Sequence, residues 1–236
     1  MKFTHTAAQS IRPIYNLCKM NAKQVIQNHL SKEDKYTFAF NELKGVLGLN
    51  KDIKKIEAYD VSHISGDHAV ASCVVFSNLG AQKKNYRLFN IPETLSGNDV
   101  GSLQHVLERR IKYYENPKIK PDVILIDGGK TQLNFTKSVI DSSEYDDIKI
   151  ISIVKGSNRV RATETILSND GIIELEKYSK AYLLLQEIRD ESHRFAITAQ
   201  RKKKRGNIKQ SRLDQINGIG DVLKKRLILK LKIFIM

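Results

Sequence analysis

A chain of 236 residues, 41% of them hydrophobic, is long enough to bury a real core and suits one medium domain with a small appendage. No apolar run approaches the ~20 residues of a membrane span, the opening MKFTHTAAQSIRP lacks the pattern of a secretory signal, and two cysteines without a CxxC pair, Cys18 and Cys73, argue against a disulfide framework or structural zinc and fit a reducing cytoplasm. The net charge of +14 is lopsided, because from Arg194 onward 13 Lys and Arg face only Asp214 and Asp221, so the tail carries +11 and the first 193 residues +3, which points to a polyanion partner, a solvated charge run or an addressing signal.

Residues 13 to about 48 read as helix, with Pro13 in the first turn, a break near Ser31 and Gly48 as the stop. Three β-rich runs follow at 56–62, 69–76 and 85–91, the first two joined by Ser65-Gly66-Asp67 and the last halted by Pro92; their short connections predict an antiparallel meander. Helical spacing resumes from Val100 to about Tyr114. DVILID (122–127) predicts a central, parallel-type strand buried on both faces, and IKIISIV (148–154) a second, with a helix over 130–140 between them. A hairpin turning at Asn169-Asp170-Gly171 and a helix over about 179–198 complete a mixed sheet with helices on its faces. The basic segment 201–210 reads as a linker to a short tail with a Gly-x-Gly turn.

Some polar residues stand where packing alone would not put them. Asp60 lies inside a strand on the face of Ile56 and Ala58, where a charge costs several kcal/mol unless paired, metal-bound or at an edge. Asp127 ends a buried strand at the edge where open α/β sheets hold ligands, although Asp is also a favoured helix cap. Gly128-Gly129 then opens a helix whose amides, with Lys130, could hold a phosphate. His193 shares a helix face with Arg189 and is either a metal ligand, a proton carrier or a surface group. Two Asp from central strands with a helical His describe a Mg²⁺ or Mn²⁺ site of the kind that hydrolyses phosphodiesters, in an RNase H-like order of strands. His63 and His68 read as surface or structural groups, Glu57 and Asp67 have no evident role, and the strand spacing of Tyr86 and Phe89 favours the core over base stacking.

IEAYDVSH, ASCVVF, YRLFNI, PDVILIDGGKTQLN, VKG, RDESHRFAITAQRKKK and LDQINGIG occur in this order between residues 56 and 220 and resemble the carboxyl-terminal half of the UvrC family, the incising component of the excinuclease ABC system, in a match that covers roughly residues 13 to 229. The resemblance implies an α/β, RNase H-like mixed sheet flanked by helices with a small helix-hairpin-helix appendage. It divides the chain into a helical segment (1–50), an endonuclease domain (51–200), a basic linker (201–210) and a truncated helix-hairpin-helix motif (211–236). It also implies nucleotide excision repair: a metal-dependent endonuclease that cuts 5′ of a lesion in damaged double-stranded DNA loaded with the damage-recognition subunit, UvrB.

The family's Asp-Asp-His constellation falls on Asp60, Asp127 and His193, with a further acid on Asp99, a position that equally fits a helix N-cap. Candidate DNA contacts are Lys130, Lys155 and Arg159 (beside Gly156), Arg189, Arg194, Arg201, Lys202, Lys203 and Lys204, and in the tail motif Gly218, Gly220, Lys224 and Lys225. The GIY-YIG nuclease and the UvrB-docking segment of the family are absent, and the tail offers one hairpin motif of the family's two. The alternative reading is therefore a catalytically silent DNA-binding fragment of a UvrC protein, while RNA-directed cleavage would be permitted by the fold alone.

Overall fold

The computed structural model describes residues 12–62, 69–154, 165–209, 220, 222–223 and 226–227, the side chains of 24–33 and 202–209 excepted. The turn at 63–68 with His63, Asp67 and His68, the segment holding Lys155, Gly156 and Arg159, and Gly218, Lys224 and Lys225 lie outside the described residues, as do the side chains of Lys202, Lys203 and Lys204.

One mixed sheet organises the molecule. Strand β1 (Lys55–Ser62) pairs antiparallel with β2 (Val70–Ser77) on one side and parallel with β5 (Val123–Asp127) on the other. β2 is flanked in turn by the two-residue β3 (Gly80–Ala81) and by β4 (Arg87–Asn90), both antiparallel to it. Beyond β5 come β6 (Lys149–Val154), parallel, and the hairpin β7 (Thr165–Ser168) and β8 (Gly171–Ile173). The expected meander, buried parallel pair and terminal hairpin are all present; β3 was not anticipated, because two residues carry no periodicity.

The central runs form strands because both their faces are covered. Val123 to Ile126 and Ile150 to Ile153 are buried throughout, as parallel strands roofed by helices require. Helix α2 (Asp99–Ile111) turns Leu103, Val106, Leu107 and Arg110 inward at helical spacing, and it packs with α3 (Lys130–Asp141) on one face of the sheet. Helix α4 (Lys180–Lys209) lies across β1 and β2 on the other face, joined by α1 (Arg12–Val46). The two outer helices are tied by the Tyr36 hydroxyl, which donates to Glu187, and by Glu42, which accepts the Ala181 amide at 2.6 Å.

Three boundaries differ from the sequence reading. Helix α1 continues through Ser31 without a break and stops at Val46, with Gly48 at φ +62° closing it. Helix α4 continues to Lys209, across the segment expected to be a linker, since Lys and Arg are good helix formers. The N-cap of α2 is Asn98, whose side chain accepts the Gly101 amide at 2.9 Å; Asp99 is the first helical residue rather than the cap. Tyr86 and Phe89 are buried, as their spacing predicts.

Candidate active site

Asp60 and Asp127 converge through strand register. β1 and β5 pair Ala58 with Leu125 and Tyr59 with Ile126. Asp60 and Asp127 are thus the next residues in line on adjacent parallel strands, which lie ~4.8 Å apart, and by alternation both belong to the face of Ala58 and Leu125. This is the α4 face, because Asp60 Oδ2 lies 3.5 Å from His193 Nδ1. The carboxyl ends of the parallel strands thereby place two acids and an imidazole at one rim of the sheet.

Asp60 is 7% exposed. Its Oδ2 accepts a 2.6 Å hydrogen bond from Ser62 Oγ, two residues along the same face, while Oδ1 accepts none from the described residues. His193 is 59% exposed by side chain, so its ring joins the buried carboxylate to solvent. The helix that carries it is fastened on both sides of His193. Ser192, one residue before it, meets Ser72 Oγ through both its hydroxyl and its carbonyl oxygen at 3.0 Å, and Ser72 is the cross-strand partner of Asp60. Gln200, two turns later, donates to the carbonyl of Ser62 at 2.9 Å. Sequence reasoning did not single out Ser72, Ser192 or Gln200; the signal available was a polar residue on an otherwise apolar strand or helix face.

Asp127 ends β5, and the chain then turns into α3 through Gly128-Gly129. The cap of α3 is Gly129, so the simple helix-cap reading of Asp127 gives way. The Gly128 amide donates to Ile153 and the Gly129 amide to Gln132 Oε1 at 2.7 Å, so both are engaged within the protein instead of facing a phosphate. A Cβ at 128 would meet that same Gln132 oxygen and push the Gln132 side chain away from the Gly129 amide. Lys130 is exposed at the first turn of α3.

The remaining candidates lie farther out. Asp99 is exposed at the start of α2, in the layer opposite α4. Arg189 bonds the neighbouring Asp190, and Arg194 is held by Glu191 at 2.6 and 2.7 Å, so that pair is occupied. Glu191 also accepts from Tyr86, and the Arg194 guanidinium beside it holds its carboxyl below the usual range. Arg201 is exposed on the outer stretch of α4, and Gly220 is exposed.

Glu57 is the residue whose role the sequence left blank. It lies on the opposite face of β1 from Asp60 and is fully buried. It is bound by the Arg110 guanidinium and by the hydroxyls of Tyr59 and Tyr114 at 2.7 and 2.8 Å. Among the described residues no three His, Cys, Asp or Glu side chains form a metal-holding group, and no helix is long and apolar enough to cross a membrane.

Several known proteins are similar to this chain in sequence. UvrABC system protein C of Saccharophagus degradans is 36% identical over 230 residues, spanning 97% of this chain and 38% of that protein. The protein of the same name from Legionella pneumophila strain Paris is 38% identical over 202 residues, spanning 85% of this chain and 33% of that protein. The chain thus covers about a third of the length of these curated relatives. Among solved structures, human ENDOV is similar at 13% identity and a TM-score of 0.39, over 62% of this chain and 86% of that one. Residues 44–197, which contain Asp60, Asp127 and His193, match the family described as the UvrC RNAse H endonuclease domain, and the chain belongs to that family.

Proposed function

We propose that this chain is a metal-dependent DNA endonuclease of nucleotide excision repair, hydrolysing a phosphodiester 5′ of a lesion in damaged double-stranded DNA held by the damage-recognition subunit, UvrB, in the cytoplasm. The observation that carries the reading is the register placing Asp60 beside Asp127 at the carboxyl rim of two parallel strands, with His193 3.5 Å from Asp60. The family membership of residues 44–197 supports it.

The donor set fits a hard divalent cation. Mg²⁺ and Mn²⁺ favour oxygen, and Mg²⁺ is commonly held by one or two carboxylates with water and substrate phosphate completing the shell, so a closed protein cage is not required. Asp60 and Asp127 would hold the ion, with His193 as a further ligand or as a proton carrier. When bound, it supplies an activated water and neutralises charge on the phosphoryl group.

The protein's own groups do the rest. Ser62 orients the Asp60 carboxylate through Oδ2, and among the described residues Oδ1 accepts no hydrogen bond. The exposed imidazole of His193 can move a proton between the site and solvent. Lys130 offers a point charge to a phosphate near Asp127. Arg201, Lys202, Lys203 and Lys204, in the last part of the α4 sequence, are candidate phosphate contacts, and such contacts would make binding strongly salt-dependent. Gly218, Gly220, Lys224 and Lys225 add a half-module of the same non-specific kind. Asp99, Lys155, Arg159, Arg189 and Arg194 are secondary candidates for the same site or strand.

Asp127→Asn tests the proposal. It should abolish Mg²⁺-dependent nicking of lesion-bearing duplex in the presence of UvrB while DNA binding stays nearly unchanged; nicking at the parent rate refutes the assignment. If the parent chain itself nicks nothing with either metal and UvrB, yet binds DNA, the silent-module reading holds instead.

A further inference from the structure

On the α2 side of the sheet, away from Asp60 and His193, the edge strand β4 and the end of α2 enclose a groove of about 480 Å³. Its charged lining is entirely cationic: Arg87 from β4, and Arg109, Arg110 and Lys112 from α2 and the turn after it. Arg110 at the back is committed to Glu57. The other three are exposed, and none is in an ion pair among the described residues.

Two of these cations are held in place before any ligand arrives. Arg87 Nη1 donates to the carbonyl oxygens of Lys84 and Tyr86 at 3.1 and 2.8 Å. The Arg109 guanidinium lies 5.5 Å from the centre of the Phe89 ring. At the mouth, Tyr113 leaves 60% of its surface exposed although it follows directly on a well-packed helix. Unpaired cations that are already positioned cost self-repulsion, which an anionic ligand relieves. An exposed ring beside them suits a flat group that stacks.

We propose that this groove is a second polynucleotide site, which grips a single-stranded stretch by its phosphates and stacks an unpaired base on Tyr113. It rests on the nucleic-acid reading above and extends it to a surface that the cutting site does not reach. Cations that follow the backbone and an aromatic that accepts any base are the elements of sequence-tolerant single-strand binding. A duplex hides its base faces from such a ring, so single strands are favoured over duplex here.

The test measures binding of a fluorescent oligo-dT and of a duplex of equal length to the full chain over a range of salt. In Arg87→Gln/Arg109→Gln/Lys112→Gln, the slope of log affinity against log salt for oligo-dT should be shallower by about 2, at about 0.7 for each phosphate neutralised by one of these cations, and the duplex slope should change by less than half as much. Lys112→Gln alone, at an exposed position whose side chain makes no hydrogen bond or ion pair among the described residues, should lower the slope by about 0.7. Tyr113→Ala should weaken oligo-dT binding by about fivefold or more without changing the slope. Unchanged slopes in both charge variants overturn the proposal. So does an equal loss on duplex and single strand in Tyr113→Ala, or competition by polyglutamate as effective as by unlabelled oligo-dT, which would mark an acidic-protein surface. Binding is read without nicking, so a chain that cuts nothing still tests the groove.

Discussion

β1 carries two carboxylates three residues apart, and their surroundings are opposite. Glu57 is sealed among Arg110, Tyr59 and Tyr114, and every bond it accepts comes from a buried donor. Burial works against the charge of Arg110, but the hydrogen bonds and charge of Glu57 outweigh it and raise the guanidinium's pKa further. Burial, and then the same negative charge, push the Tyr114 hydroxyl well up; Tyr59 and Cys73 are raised chiefly by burial as well. Asp60, on the other face, has one serine hydroxyl, one half-open imidazole and a neighbouring carboxylate. A buried charge whose donors are complete is architecture, whereas one beside a second acid, with fewer donors among the described residues, fits the ligand-holding role proposed for Asp60.

Replacing each acid or its partner can break that comparison. Asp60→Asn should lower nicking by about 10³-fold, the several kcal/mol of charge stabilisation that a bound cation supplies. Its unfolding free energy should change by less than ~1 kcal/mol, as expected for a near-isosteric change that removes a buried charge with few donors and keeps an oxygen for Ser62. Single-turnover nicking and urea unfolding measure the two, and a variant that cuts normally would erase the distinction from the Asp60 side. Arg110→Met should do the reverse. It strands Glu57 without its countercharge and should cost ~3–5 kcal/mol of stability. Glu57→Met/Arg110→Met should recover most of that loss. A cost below ~1 kcal/mol for the single change would mean that Glu57 is not compensated as its contacts indicate.

The sequence revealed one of these two acids and not the other, for a physical reason. Asp60, Asp127 and His193 each break a local pattern, so their oddity is visible within a few residues, and the resemblance joined them. Glu57 breaks the pattern of the same strand, but its partner is 53 residues away on α2, and separation of that kind leaves no periodic trace. The same limit hid the Ser72–Ser192 contact, which spans 120 residues. Local rules did read the buried parallel strands, the Asn169-Asp170-Gly171 hairpin, and the stop at Gly48. They failed where two candidates competed, as Asn98 did with Asp99 for the cap of α2, and where good helix formers carried α4 past its expected end.

Ser72→Ala sharpens the comparison from the α4 side. Ser72 and Ser192 are both buried, so the change removes a hydroxyl and leaves the Ser192 hydroxyl without that partner, at a cost of ~1–3 kcal/mol. His193 is the next residue, and a small displacement of its ring from Asp60 should reduce the single-turnover nicking rate by about tenfold with little change in DNA affinity. Loss of stability with an unchanged rate would show that the contact fastens the helix without setting the geometry of the rim.

The smallest effect belongs to a third carboxylate, at the opposite end of the same strands. Asp147 precedes β6 and binds Lys51, which precedes β1, and Lys120, which precedes β5, at 2.7 and 2.5 Å. Burial raises its pKa, but the hydrogen bonds and charges of the two lysines outweigh this and hold it below the ordinary 3.8. A depressed native pKa adds stability that is fully present above the ordinary value and is lost as pH falls through the native one. Asp147 is 44% exposed by side chain, so solvent screening limits the contribution to ~0.5–1 kcal/mol. Asp147→Asn should therefore lower the urea midpoint slightly at about pH 7, and the gap from the parent should close in acid, as pH falls through the lowered native pKa and the parent's own carboxyl takes up its proton. A gap that persists in acid would mean that Asp147 acts through packing rather than charge. The amino ends of the parallel strands would then be fastened by shape, and charge would be left to act at the carboxyl rim, where Asp60 and Asp127 are proposed to hold a cation.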